Sequence, residues 1–248
     1  MSLPGLSIVV PAHNEEASVA STVSEVAAVA RQLECDYEIL VVNDGSTDCT
    51  AAIVRELARD IWHLRLVEHY PNRGYGGALK AGFAAASKEL IALVPADGQF
   101  VFGEIDRFLD KIAEADIVCG YRARRQDSLL RNLNGWVWNV LVRLLFGYLC
   151  RDVDCGFKLL RRGVVEQVPL NSNGAMIDAE LLAGARARGF RIVEVPVTHR
   201  PRAGGVATGA KPGVILKAFG DLLSFRFRLS REMSRGRGRP RRRTVSSP

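Results

Sequence analysis

Leu90 to Phe100 reads LIALVPADGQF, and the fold turns on this stretch. Five consecutive apolar residues, Leu90 to Val94, predict a strand buried on both faces, as in parallel sheets. Pro95 ends it, because proline has no N–H to give to a ladder. Asp97, Gly98 and Gln99 follow directly. In open α/β sheets ligands bind beyond the carboxyl ends of the strands. A carboxylate and an amide oxygen at this place can therefore hold a hard cation, and through it a diphosphate. The competing reading is a plain turn, since Pro, Asp and Gly are all turn formers.

The same grammar recurs on both sides of this stretch. Leu6 to Val10 is an apolar run closed by Pro11, and Val19, Val23, Val26 and Ala30 then follow at helical spacing. Tyr37 to Val42 predicts a second strand, and Asn43 to Ser46 a turn and cap for a helix holding Ile53, Val54 and Leu57. Leu64 to Val67 predicts a third strand and Gly76 to Ala86 an alanine-rich helix. After Phe100 a helix is expected over Glu104 to Ala113 and a strand over Ile117 to Gly120. Such alternation implies parallel strands joined by right-handed crossovers.

The texture then changes. Tyr121 to Arg131, with arginines at 122, 124, 125 and 131, is expected as a loop. Leu133 to Leu149 reads as a helix that is apolar on both sides and needs partners on both. Gly156 to Leu160 predicts a strand, Asp178 to Arg188 a helix, and Arg191 to Val195 a last strand ending at Pro196. His199 to Lys211 is expected as a flexible basic loop. Ile215, Ala218, Phe219, Leu222, Phe225 and Leu229 mark an amphipathic helix, and the arginine-rich end has one valine to bury and is expected to be disordered.

With 248 residues and 48% hydrophobic composition, the chain suits one large domain with appendages. Its net charge of +7 is unevenly placed. From Arg226 onward nine arginines face one glutamate, a surplus of eight, so the rest of the chain carries −1. A nucleic-acid role would rest on that tail alone, with no recognition fold behind it. Five cysteines with no CxxC pair argue against a zinc knuckle or a secreted disulfide framework and fit reduced thiols. The opening MSLPGLSIVVPAHNEE lacks a basic segment before a long apolar core and is expected to be a first strand, not a signal peptide. No stretch has the roughly 18 to 20 uninterrupted apolar residues of a membrane span.

Four polar groups fall just after the first four strands: His13, Asn14 and Glu15; Asp44 and Ser46; Asn72 to Gly77; and Asp97 and Gln99. Parallel strands bring all four to one edge of the sheet. Each has a structural explanation of its own, as a cap or a turn, but four together point to one cleft. Other chemistries fit less well. In NRGYGGALK the dinucleotide pattern GxGxxG would need glycine where Leu79 stands, and neither GxxxxGK[ST] nor GxSxG occurs. A hydrolase using Asp152 with Asp154, or Asp178 with Glu180, stays open, because carboxylate separation is a three-dimensional quantity.

SIVVPAHNEE, ILVVNDGSTD, NRGYGGALKAG, VPADGQF, DCGFKLLRR and VPVTHRPRAGG, in that order, resemble the inverting glycosyltransferases of family 2, in the branch of polyprenyl-phosphate and dolichyl-phosphate mannosyl- and glucosyltransferases. The resemblance covers residues 6 to about 210. It implies an α/β GT-A fold, a Rossmann-like, mostly parallel sheet flanked by helices, over residues 1–210. An amphipathic, membrane-interfacial helix over 211–232 and a disordered tail over 233–248 complete the expected organisation.

The resemblance also implies roles. Pro11, Ala12, His13, Asn14, Glu15, Asp44, Ser46, Gly76 and Ala96 fall on the donor side, with Asp44 placed to read the base edge. Asp97 matches the second carboxylate of the family's DXD metal motif, and Gln99 a glutamine that can join a Mg2+ or Mn2+ ion. His199, Arg200 and Arg202 match a basic loop over the donor diphosphate, and Arg122 and Arg131 arginines that grip an acceptor phosphate. Asp152 and Asp154 occupy the place of an aspartate discussed as a catalytic base. One departure stands out: Pro95 occupies the place of the first DXD aspartate, leaving Asp97 as the motif's only carboxylate.

The implied activity is inverting, metal-assisted transfer of a hexose from a GDP-mannose or UDP-glucose type of donor to a polyprenyl phosphate. It would be carried out in the cytoplasm at the anionic inner face of a membrane. A soluble acceptor, or a non-catalytic nucleotide-sugar binder, are the alternatives.

Overall fold

The computed structural model describes residues 3–123, 129–202 and 212–236. Its centre is a seven-stranded sheet in the order β3-β2-β1-β4-β6-β5-β7. The strands are β1 (Leu6–Ala12), β2 (Tyr37–Asp44), β3 (Leu64–His69), β4 (Leu90–Leu93), β5 (Ile117–Arg122), β6 (Lys158–Arg161) and β7 (Ile192–Val197). The helices are α1 (Val19–Ala30), α2 (Thr50–Asp60), α3 (Tyr75–Ala85), α4 (Ile105–Ile112), α5 (Leu129–Phe146), α6 (Arg162–Gln167), α7 (Ile177–Ala187) and α8 (Pro212–Gly236).

Alternation along β1 builds a core on each face. Ile8 and Val10 point to the layer of α1 and α4, where they meet Val19, Val23, Phe108 and Phe157. Val9 points the other way, to Leu79 and Phe83 of α3 and to the side closed by α7 and α8. A Cβ on Gly82 would sit 2.3 Å from Val9 Cγ1, so this glycine lets α3 lie directly on the sheet.

Two prolines behave differently from the expectation that each stops a strand. β1 runs through Pro11, whose carbonyl accepts from Ala96 N at 3.1 Å. Pro11 lies past Val9, the last β1 residue in register with β4. β7 runs through Pro196, which an edge strand tolerates. Pro95, in contrast, does lie beyond the end of its strand.

The largest departure is β6. It pairs antiparallel with both β4 and β5, with Lys158 opposite Leu93 and Cys119. The other pairs in the sheet are parallel. A strand entered from the opposite end brings the residues before it, not after it, to the edge where β1, β4 and β5 finish. Asp152 to Phe157 reach the cleft by this route.

α6 was not expected from the sequence. α5 starts four residues earlier than expected and ends at Gly147, whose φ of +77° suits glycine as a helix terminator. It also has one partner side where two were expected. Val142 is buried, whereas Trp136 (64% exposed) and Leu144 (76%) face outward. The amphipathic helix α8 buries Leu222, Phe225 and Leu229 and continues to Gly236, past the expected boundary at 232. Arg124 and Arg125, most of the basic loop, and the end of the arginine-rich tail lie outside the described residues.

Candidate active site

The carboxyl ends of β1, β2, β4 and β5 open onto a cavity of about 510 Å³. Pro11 and Ala12 at the end of β1 and His13 just after it line the cavity, and Asp44 closes β2. Asp44 is nearly enclosed. Its Oδ1 accepts from Arg73 N at 2.9 Å and lies 3.2 Å from His69 Nδ1, while its carbonyl takes bonds from His13 Nδ1 at 2.9 Å and Asn72 Nδ2 at 2.8 Å. These contacts hold the carboxylate through Oδ1.

Three residues expected on the donor side brace the wall and do not line it. Asn14, at φ +55°, donates its N–H to Ser46 Oγ at 2.9 Å and accepts from Thr47 N at 2.8 Å. Asn14 and Ser46 thus stitch the loops after β1 and β2 together. Gly76 holds the first turn of α3 against the segment before α7, where a Cβ would come 2.5 Å from Ser172 O.

The middle of the cavity carries the charges. Asp97 Oδ1 accepts from Gln99 N at 3.1 Å. Gln99 donates its Nε2 to Arg200 O at 3.3 Å, and its carbonyl accepts from Arg200 N at 2.8 Å, so the segment after β7 is sewn to the Asp97 loop. His199 packs its ring edge-on against Phe100, with centroids 5.7 Å apart. Arg202 pairs with Glu15, which also accepts from Ser18 Oγ at 3.2 Å. Burial raises the Glu15 carboxyl above its ordinary range; Arg202 opposes that rise and the charge of Asp97 adds to it. Arg200 does not line the cavity and pairs with Glu25 at 3.1 Å.

At the far end stand Arg122, Asp154, Pro95 and Gly156. Arg122 forks onto Asp152, Nε to Oδ2 at 2.6 Å and Nη2 to Oδ1 at 2.8 Å, so Asp152 holds the arginine and is not itself part of the wall. Asp154 does line the cavity. Its Oδ1 is buried and has no hydrogen-bond partner among the described residues. Burial, with the nearby charges of Asp178 and Asp152, pushes its carboxyl up to about 7, against Lys158 and Arg122. Arg131 is in the first turn of α5, and its side chain lies outside the described residues.

Asp178 and Glu180 are not a catalytic pair. Both are buried and committed to cations, Asp178 to Lys158 at 2.7 Å and Glu180 to Arg228.

Of the group expected after the third strand, Asn72 to Gly77, the cavity is lined by Asn72, Gly74 and Tyr75, and by Ala78 just beyond it, which sequence reasoning did not name. The signal for this group was NRGYGG, where Gly74 takes a φ of +79° at the start of α3. That turn places Tyr75 in the wall, and burial raises its phenol well above the ordinary value.

Among the described residues no three His, Cys, Asp or Glu side chains converge to hold a metal alone. Pro95 offers no ligand, and its ring fills the space beside Gly156, where a Cβ would meet Pro95 Cγ at 2.4 Å. Asp97 fits a narrower demand. Magnesium commonly binds through one or two carboxylates and completes its shell with phosphate oxygens and water. Asp97 Oδ2, with the amide oxygen of Gln99, suits an ion that arrives with a diphosphate.

Residues 7–168 match the family model described as glycosyl transferase family 2. A dodecaprenyl-phosphate galacturonate synthase of Rhizobium johnstonii is 34% identical over 228 residues, covering 90% of this chain and 66% of its own. An undecaprenyl-phosphate 4-deoxy-4-formamido-L-arabinose transferase of Pectobacterium carotovorum is 32% identical, covering 83% and 62%. A dolichyl-phosphate beta-glucosyltransferase of Dictyostelium discoideum is 32% identical, covering 77% and 65%. The chain thus spans less than two thirds of the length of these relatives. In fold it is similar to glucosyl-3-phosphoglycerate synthase of Mycobacterium tuberculosis, crystallised with UDP (TM-score 0.69, 20% identity, covering 90% of this chain and 80% of that one). The same enzyme crystallised with Mn2+, UDP and phosphoglyceric acid gives a TM-score of 0.70 at 20% identity, covering 90% and 78%.

Proposed function

The chain belongs to glycosyl transferase family 2, and from that premise we propose that it moves a sugar from a nucleoside-diphosphate donor to a polyprenyl phosphate, with inversion at the anomeric carbon. One observation carries the reading: a single cavity joins a carboxylate set for a base edge, Asp44, to the charged group of Asp97 and Arg202 and then to Asp154. Relatives named for polyprenyl- and dolichyl-phosphate acceptors support the acceptor class. The sugars they are named for range from glucose to galacturonate to a substituted arabinose, so the family leaves the donor sugar open.

The chemical demand is to stabilise charge on the departing nucleoside diphosphate. Positive groups fixed in advance at that place do this without reorganisation during the reaction. Arg202 and the backbone around Ala96 border it, and His199 adds a ring that can donate. A divalent cation held by Asp97 and Gln99 supplies further neutralisation of the leaving diphosphate. A lipid phosphate is already ionised at neutral pH, so its oxygen attacks without a strong base. Asp154 then orients the acceptor, and with a carboxyl near pH 7 it can donate to a phosphate oxygen or accept from one that still holds a proton.

No helix among the described residues is long and apolar enough to cross a membrane. The exposed side chains of Trp136, Leu144 and Phe227 support a chain that lies on a membrane face, and the reading puts it on the inner, cytoplasmic one. Arginines of α8 near an anionic surface add on the order of 1 kcal/mol each.

The test is transfer of radiolabel from a panel of UDP- and GDP-sugars into butanol-extractable polyprenyl phosphate, with Mg2+, with Mn2+ and with chelator. Label in the organic phase is expected, and Asp97→Ala is expected to reduce it by about 10²- to 10³-fold. Label in a water-soluble product instead would point to a soluble acceptor. Nucleotide-sugar binding without turnover would leave a binding protein.

A further inference from the structure

Lys158 is enclosed completely, at 0% exposure, on the central antiparallel strand β6. Its ammonium lies 2.7 Å from Asp178 Oδ1 on α7 and also donates to the carbonyl of Cys155. Burying an ion pair costs several kcal/mol per ion, and a well-packed apolar pair of similar volume is usually as stable or more so. Stability alone does not explain these two residues.

What they touch does. Cys155 ends the turn that carries Asp154, and each of its other neighbours is tied down. Asp152 takes the Arg122 fork, and its carbonyl accepts from Cys155 N at 3.2 Å. Val153 N donates to Asn139 Oδ1 at 3.0 Å. Gly156 lies against the Pro95 ring. Amid these ties, Asp154 turns into the cavity an oxygen with no hydrogen-bond partner among the described residues.

We propose that Lys158 and Asp178 are positioning residues: their ion pair, through the Cys155 carbonyl, fixes the turn that presents Asp154 to the acceptor. What Asp154 acts on rests on the proposed transfer reaction; the mechanical role of the pair does not. Asp178 holds the ammonium in place, and the ammonium sets the direction of the Cys155 carbonyl. Asp154 is bonded directly to the residue that carries this carbonyl, so a shift of the Cys155 backbone displaces its carboxylate.

The decisive variant is the double substitution Lys158→Met with Asp178→Leu, which removes both charges, keeps the volume and is expected to melt no lower than the wild type. Its kcat is expected to fall about 10²-fold, the cost of a misplacement of about 1 Å. The donor KM and the affinities for UDP and GDP, measured calorimetrically, should stay unchanged. A folded double variant with wild-type kcat overturns the proposal. So does a kcat loss matched by an equal loss of nucleotide affinity, which would mark a general loosening of the fold. Should the double variant not fold, Asp178→Asn keeps a hydrogen bond to Lys158 without the charge and is expected to show the same kcat loss at constant donor KM. Should the wild type transfer no sugar, the transfer reading fails by itself and the crystal structure of Asp178→Asn decides. A turn over 152–157 displaced by about 1 Å supports the proposal, and an unmoved turn overturns it.

Discussion

The two halves of the sheet satisfy their buried carboxylates in opposite ways. In the parallel half, Glu38 accepts from Ser7 Oγ at 2.7 Å, Ser87 N at 2.6 Å and Ser87 Oγ at 2.8 Å, and meets the exposed Arg65 only at its rim. Asp44 likewise relies on backbone N–H and side-chain dipoles. In the mixed half, Asp178, Asp152 and Glu180 are answered by Lys158, Arg122 and Arg228. Apart from the Glu15–Arg202 pair, the donor end is built from strand ends and neutral donors, which tolerate change group by group. The acceptor end is built from cation–anion pairs, in which loss of one member strands the other.

The largest effect that separates the halves is on stability. Lys158→Met leaves Asp178 buried without its cation and is expected to cost about 3–5 kcal/mol in urea unfolding. Glu38→Gln keeps an acceptor for the same hydrogen bonds and is expected to cost about 1 kcal/mol. Equal costs would break the comparison.

The pH dependence sharpens it, because the two halves should respond with opposite sign. Asp154 titrates near 3.8 when unfolded and at about 7 in the fold. Between those values the folded state holds the extra proton, so stability falls as pH rises through the window and stays low above it. At about 1.4 kcal/mol per pH unit, Asp154→Asn should change little at pH 4 and stabilise by on the order of 4 kcal/mol at most at pH 8. Burial raises the Glu38 carboxyl, but the bonds from Ser87 and Ser7 outweigh it, so that carboxyl sits below its ordinary value. Its contribution is present above the unfolded value of 4.5 and is lost as pH falls, so Glu38→Gln should do more harm at pH 7 than at pH 3. Thermal melts of both variants across this range read the two slopes, and parallel slopes would contradict the assignment.

The same division explains how much was legible in the sequence. For a parallel strand the functional residue follows the apolar run, so the positions of Asp44 and Asp97 could be read from local pattern. Asn14, Ser46 and Gly76 stood at the right places too, but whether a loop residue lines a cavity or braces its wall depends on the neighbouring loop. β6 runs the other way, and nothing local marks a short strand as antiparallel. Its site residues come before it; spacing marked Asp152 and Asp154 only as a possible hydrolase pair, and family resemblance put them near the acceptor. That resemblance did not divide their work, because the fork that ties Asp152 to Arg122 spans 30 residues. The buried Lys158 read as one more strand residue for the same reason: Asp178 is 20 positions away.

The smallest expected effect on stability concerns the outer surface of the mixed half. Leu133, Trp136, Val137 and Leu144 are exposed at helical spacing along α5, and Phe227 is exposed on α8, which packs on α5 through Phe146 and Phe225 at 5.4 Å. The exposed large apolar residues of the parallel half are Leu3, Trp62 and Tyr70, none of them in a helix. Side chains that already face water contribute little to folding, so Trp136→Ser with Leu144→Ser should change unfolding free energy by about 0.5 kcal/mol or less. If the stripe meets lipid, the same pair should lose flotation with anionic vesicles at low salt, while Trp62→Ser should float like the wild type. Each apolar side chain withdrawn from a membrane interface forfeits area-dependent binding that the arginines cannot replace once salt screens them. A double variant that floats undiminished would assign attachment to charge alone and leave the exposed face of α5 without a lipid role.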